Sequence, residues 1–242
     1  MAEFQGAKKE LDGGDGEFFD GIAERYDLLN RILSLGLDGR WRRRAVQSLG
    51  LGEEAEILDL ATGTADLAIT MVQGRRGVDV VGVDPSREML AVGEEKVAEA
   101  GLSERITLEM GDGQDLRFED NRFDGAAIAF GIRNFPDRLQ GLREMARVVK
   151  PGGRVAILEL SEPRRGVMAQ MSRVYVRQVV PRVGAMLSGS REYRYLQESI
   201  AAFPSAEEFA QMMSKCGFDQ VEVQPLTFGV VNLYVGTVAG DA

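Results

Sequence analysis

LDLATGTADLA, residues 58–68, is the stretch that decides how this chain is read. An apolar run ends at Asp59, a turn holds Gly63, and helix-forming residues begin near Asp66. A strand that turns tightly into a helix brings backbone N–H groups and the positive end of the helix dipole above the strand tip. Alanines stand at Ala61 and Ala65, where nucleotide-binding turns often carry glycine, so the match to a dinucleotide fingerprint is poor. Taken alone, the segment fits a cofactor turn and a plain strand-turn-helix equally well.

The next segment shifts that balance. VVGVDPSREML (80–90) is an apolar strand ending at Asp84, 25 residues after Asp59, followed by a new helix. A carboxylate at the tip of the second strand can accept both hydroxyls of a ribose, and open α/β sheets bind ligands at their strand C-termini. The alternative is an acid that merely favours the start of the next helix. MGDGQDLRF (110–118) adds Asp112 and Gly113 at a third strand end, where a carboxylate or a backbone N–H can read an adenine edge.

Working outward, strand-like runs at 56–60, 79–84, 106–110, 124–130 and 154–160 alternate with helix-like segments near 65–74, 87–100 and 137–149. That alternation predicts a mostly parallel sheet covered by helices on both faces, an α/β fold. Ser205 with Glu208 predicts a capping box, and Gly217 a left-handed helix stop. The runs 220–225 and 230–238 are joined by only a few residues, which suits an antiparallel hairpin. Upstream, Phe18, Ile22, Tyr26, Leu29 and Leu33 recur at helical spacing, so residues 17–51 are expected to form helices ahead of the sheet. Residues 1–16 read as a flexible tail, leaving 17–242 as a single domain.

Composition limits the chemistry. The chain has 242 residues, 44% hydrophobic, with no apolar run long enough to predict a membrane span. A single cysteine, Cys216, and no secretory-signal pattern point to the cytoplasm. A net charge of −9 argues against nucleic acid as a partner. There is no histidine, so the commonest general base and metal ligand are both missing, and no metal site is expected.

Three acidic strand ends at these spacings resemble class I S-adenosylmethionine-dependent methyltransferases. The resemblance implies a Rossmann-like seven-stranded sheet whose last strand is antiparallel, with a helical cap. It then narrows. FFDGIAERYDLLNRILSLGLDGRWRRRAV (18–46), AFGIRNFPDRLQGLREMARVVKPGGRVAILELSEP (129–163) and YRYLQESIAAFPSAEEFAQMM (193–213) are similar to the bacterial ubiquinone/menaquinone-biosynthesis C-methyltransferases.

The family resemblance implies S-adenosyl-L-methionine as cofactor, held by Asp59, Gly63, Thr64, Asp84, Asp112, Gly113 and Ala129. Ala65 stands where the family usually has glycine and Ala129 where many relatives have serine; the extra methyl at Ala65 is expected to tighten the turn. The implied acceptor is a prenylated quinol. The closing LTFGVVNLYVG (226–236) resembles the menaquinone branch, which makes demethylmenaquinol the expected substrate. A ubiquinone-pathway quinol, another lipophilic phenol, and a non-catalytic scaffold role are the rivals.

A phenol titrates near pH 10, so the site must favour its ionised form. Arg133 is expected to do so electrostatically, with Asn134 and Tyr26 hydrogen-bonding the quinol oxygens and Asp27 a weaker candidate base. The structural alternatives are an Arg133 bridge to a carboxylate such as Asp137, an Asn134 helix cap, and a core Tyr26. Residues 161–200 hold seven arginines against three glutamates and several methionines. They are expected to form an acceptor cap that admits the prenyl tail and touches the inner face of the membrane transiently. A homodimer is among the assemblies open to the chain.

Overall fold

The computed structural model describes residues 23–161 and 190–240. The tail 1–16, Phe18 and Ile22 of the first helical pattern, and most of the expected cap lie outside them. Two helices come first, α1 (Ala23–Leu33) and α2 (Asp38–Ser48). The alternating units follow: β1 (Glu54–Leu60), α3 (Asp66–Val72), β2 (Gly77–Asp84), α4 (Arg87–Glu99), β3 (Ile106–Met110), β4 (Phe123–Ala129), α5 (Arg138–Val148) and β5 (Val149–Leu160). The chain closes with α6 (Ser190–Ala201), α7 (Ala206–Lys215), β6 (Phe218–Leu226) and β7 (Val231–Val238).

Seven strands form one sheet in the order β3-β2-β1-β4-β5-β7-β6. Strands β1 to β5 run parallel, and β7 lies antiparallel to both β5 and β6. The expected terminal hairpin is therefore present. Strand order reverses between β1 and β4, so the chain leaves the two strand tips on opposite sides and opens a crevice between them.

Strand residues alternate between two cores. Leu58, Leu60, Ala126, Ile128, Val155 and Ile157 pack with Leu142 and Met145 of α5 and Phe209 and Met213 of α7. Ile57, Ala127, Ala156 and Leu158 face the other way, against α2, α3 and Val97 of α4. Each of these side chains is almost completely buried, a contribution of about 1.5–3 kcal/mol apiece for the larger ones.

Two local predictions need comment. Ser205 and Glu208 form both halves of the capping box, and Gly217 adopts φ +96° just past α7. Strand β5 begins at Val149 rather than near 154, because Val149 pairs with Phe123 before an irregularity brings Arg154 opposite Gly125. Pro151 has no N–H to give a ladder, and the sequence therefore hides the first half of that strand.

The RWRRR run is split by its helix. Trp41 and Arg42 are buried while Arg40, Arg43 and Arg44 face solvent. Trp41 Nε1 donates to Thr227 Oγ1 at 2.9 Å, and Arg44 reaches Gln224 Oε1 at 3.1 Å, so α2 is anchored to the terminal hairpin. No helix among the described residues is long and apolar enough to cross a membrane.

Candidate functional site

The turn after β1 is held in an unusual backbone. Ala61, Gly63 and Ala65 all adopt positive φ, at 51°, 56° and 64°. A left-handed conformation costs an ordinary L-residue roughly 1–2 kcal/mol. Ala65, whose methyl was expected to tighten the turn, occupies a glycine conformation with its side chain fully buried, so the methyl adds backbone strain and core contact together. Gly63 has open space where a Cβ would stand, and its N–H donates to Asp84 Oδ2 at 2.8 Å. Asp84 Oδ1 accepts from the Ser86 N–H at 2.9 Å, so one carboxylate ties the tips of β1 and β2 together.

Asp59 lies beneath this turn, 1% exposed. Its Oδ2 accepts from Thr62 Oγ1 at 2.7 Å, whereas Oδ1 is buried without a hydrogen-bond partner. Burial pushes its pKa up to about 7; Thr62, the Ala68 N–H and Arg42 oppose the rise, and the charge of Asp84 adds to it. At the third strand end Asp112 is exposed, its Oδ1 accepting from the Gln114 N–H at 2.9 Å. Gly113 is buried, and a Cβ there would fall 2.5 Å from the Phe135 ring. Only glycine lets the loop after β3 pack so closely on the loop after β4.

Helix α1 closes over the first turn. Thr64 Oγ1 donates to Asp27 Oδ1 at 2.6 Å. The Lys96 ammonium reaches Asp27 Oδ2 at 2.5 Å, Asp66 Oδ1 at 2.5 Å and Thr64 Oγ1 at 3.1 Å, which engages all three of its hydrogens. Asp27, a candidate base by sequence, has both carboxylate oxygens committed to this tie. Lys96→Met is expected to cost about 1 kcal/mol and to speed amide exchange in α1 while β1 and β4 stay protected. Hydrogen-exchange mass spectrometry reads both, and unchanged α1 exchange would contradict the tie.

On the other side of the crevice, Ala129 ends β4 half-buried, Phe130 turns left-handed at φ 61°, and Ile132–Asn134 form a single 3-10 turn. Arg133 is 7% exposed. Its partner is Glu159, not Asp137. Nη1 donates to Glu159 Oε1 at 2.9 Å and to the Phe130 carbonyl, and the Arg133 N–H donates to Glu159 Oε2 at 3.1 Å. Burial acts to discharge Arg133, but the charge and hydrogen bond of Glu159, with Tyr26 and Tyr195, together outweigh it and hold the guanidinium above its ordinary pKa.

Asn134 does not cap α5. Asp137 does, accepting from the Gln140 N–H at 3.0 Å. The Asn134 Oδ1 instead accepts from the Tyr195 hydroxyl at 3.0 Å, which leaves the amide nitrogen as the outward donor. Tyr26 is half-buried on α1, close enough to act electrostatically on Arg133. Arg133, Asn134 and Tyr26 thus gather at the tip of β4, and Asp59, Gly63, Thr64 and Asp84 gather at the tips of β1 and β2.

Sequence reasoning missed Glu159, Tyr195 and Lys96. Glu159 had a readable signal: it is the only acid in the apolar strand segment VAILEL, and a buried carboxylate demands a charged partner. Tyr195 and Lys96 had none, because only the fold brings α6 and α4 to these loops.

A model of the ubiE/COQ5 methyltransferase family matches residues 8–238. The ubiquinone/menaquinone biosynthesis C-methyltransferase UbiE of Geobacter sp. (strain M21) is 46% identical over 220 residues, covering 90% of this chain and 94% of that one. A demethylmenaquinone methyltransferase of Bacteroides fragilis is 46% identical over 222 residues, 91% of each chain. Among solved structures, the SAM-dependent methyltransferase of Aquifex aeolicus superposes with a TM-score of 0.63 at 19% identity, covering 91% of this chain and 98% of that one. Phosphoethanolamine N-methyltransferase 2 of Haemonchus contortus, in complex with S-adenosyl-L-methionine, gives 0.67 at 19% identity over 93% of this chain and 58% of that one. The distant structures share the fold, while the family model runs from before the first helix to the end of the last strand; the chain belongs to the ubiE/COQ5 methyltransferase family and is an S-adenosylmethionine-dependent methyltransferase.

Proposed function

We propose that this enzyme methylates a ring carbon of a prenylated quinol in respiratory quinone biosynthesis, with demethylmenaquinol as its acceptor. The observation that carries the reading is the cluster of buried Arg133 with half-buried Asn134 and Tyr195 beside the turn after β1, in a chain without histidine. The names of the near relatives support the substrate class.

The residues present suit the cofactor. Asp59 Oδ1 is an orphaned buried acceptor at a strand tip, fitted to a cationic ligand bearing an ammonium group. Asp84 would take the ribose hydroxyls alongside the N–H groups it already accepts, with Gly63 and Thr64 lining the turn, Asp112 and Gly113 at the adenine, and Ala129 at the crevice wall. When bound, S-adenosylmethionine supplies an activated methyl group and its leaving group.

What remains for the protein is to orient the acceptor, exclude water and raise the nucleophilicity of a ring carbon. Arg133 cannot serve as a base at any physiological pH, so its role is electrostatic. Asn134, with its oxygen occupied by Tyr195, offers its amide hydrogens to one quinol oxygen, and Tyr26 offers its hydroxyl to the other. A carbon–carbon bond forms, the methyl–sulfur bond breaks, and the displaced ring proton leaves to water. Residues 17–51 act as the lid and 161–200 as the acceptor cap of one domain, the arginines of the cap meeting an anionic membrane surface transiently.

The test is transfer of labelled methyl to reduced demethylmenaquinone and to a reduced ubiquinone precursor, each in anionic and in neutral vesicles. Labelling of the first quinol, faster from anionic vesicles and lowered about 10- to 100-fold in folded Arg133→Gln, is the expected result. Labelling of only the ubiquinone precursor would move the reading to the other branch. Cofactor binding without transfer to either would favour a scaffold.

A further inference from the structure

Charge does not balance around Arg133. Glu159 is fully buried and neutralises one guanidinium. Arg138 brings a second, its Nη2 donating to the Arg133 carbonyl at 2.9 Å and its guanidinium lying 5.6 Å from the centre of the Phe203 ring. Among the described residues no carboxylate forms an ion pair with it. Two cations therefore share one anion, largely out of water.

The position of Arg138 carries a local cost. It is the first residue of α5, where the helix dipole disfavours positive charge, and the Asp137 carboxylate that caps this end is bonded to the Gln140 N–H. Burial depresses its pKa, with Glu159 pulling the other way. Local costs that accumulate on one side chain mark a site shaped for something other than stability.

Two further donors are left over. The Nε atoms of Arg133 and Arg138 are both buried and without hydrogen-bond partners. An unneutralised charge beside two unfilled N–H donors describes a receptor for an oxyanion. A phenol already sits in this field. Burial raises the pKa of the Tyr195 hydroxyl, Arg133 and Arg138 both lower it, and Glu159 raises it again.

We propose that Arg138 supplies the charge in excess of Glu159 through which the site, together with Arg133, favours the ionised hydroxyl of its acceptor. This rests on the quinol reading above. With the hydroxyl ionised, its electron pair moves into the ring as the carbon–carbon bond forms, the methyl–sulfur bond breaks, and loss of the ring proton to water restores the aromatic ring. The charged or titratable groups facing Arg138 are Arg133 on the 3-10 turn, Glu159 on β5 and Tyr195 on α6, with Tyr26 of α1 acting on Arg133.

The experiment compares full-length wild type, R138Q and R138K by two measurements. The first is the pH dependence of labelled methyl transfer to reduced demethylmenaquinone. The second is an absorbance titration of 4-nitro-1-naphthol bound to the protein, which reads ionisation of a phenol without turnover. The expected result is a midpoint about one pH unit higher in R138Q by both readouts, so that transfer at pH 7 falls roughly tenfold and recovers as pH rises, with R138K close to wild type. R138M, which keeps the contact with Phe203, replaces R138Q if that variant does not fold.

A loss of equal size at every pH, or unshifted midpoints, would overturn the proposal and leave Arg138 a packing residue. Failure of wild type to label the quinol would refute the quinol reading instead, and the naphthol titration would still decide whether Arg138 favours a phenolate.

Discussion

Truncating Glu159 to alanine is expected to cost about 3–5 kcal/mol of folding stability, seen as a lower urea midpoint with an unchanged slope. The carboxylate is fully buried and accepts from the Arg133 N–H, from Arg133 Nη1 and, at 2.8 Å, from the Leu160 N–H. Alanine fills none of these roles. It strands a guanidinium that is itself 7% exposed, and removing one member of a buried pair costs far more than removing both. The double variant Glu159→Leu with Arg133→Met is therefore expected to regain at least half of the loss while remaining inactive. A single-variant cost below about 1 kcal/mol would mean that water reaches the pair.

The second large effect has the opposite sign. Asp59→Asn is expected to stabilise the protein above pH 7 by roughly 1–3 kcal/mol while weakening S-adenosylmethionine binding about 10- to 100-fold. In the folded state the Asp59 pKa is raised from 3.8 to about 7, so the native protein binds this proton more tightly than the unfolded chain does. Stability from this group is thus highest below pH 4, declines between pH 4 and 7, and stays low above. Asparagine keeps the acceptor for Thr62 and removes the buried charge, although its amide needs a partner of its own, which is why the gain falls short of the full shift. Urea melts at pH 5 and pH 8 beside calorimetric titration of the cofactor test both halves. A variant less stable than wild type at pH 8 would contradict the raised pKa, and unchanged affinity would remove Asp59 from the cofactor site.

The fold was readable because short apolar runs alternated with helical segments, and because the short link after Leu226 suited a hairpin rather than another crossover. Strand β5 escaped in part, since Pro151 and Gly152 look like a loop until Val149 is seen pairing with Phe123. The turn between β1 and α3 was legible from Asp59 and Gly63, but not its strain, because a positive φ at alanine has no signature in composition. Arg133 and Asn134 were found by position, yet their partners were misjudged. Asp137 was near in sequence, while Glu159 and Tyr195 come from β5 and α6, and nothing local reveals which distant element supplies a counter-ion.

Helix α1 places consecutive residues in two different places. Tyr26 stands toward Arg133, while Asp27 is bonded to Thr64 and Lys96. A rigid turn of helix cannot withdraw one without disturbing the other, so the β4 tip and the turn after β1 share a single latch. Refilling is then expected to be sequential rather than independent, the cofactor side opening only together with the acceptor side. Steady-state kinetics are therefore expected to show a fixed order of arrival and departure for the two substrates.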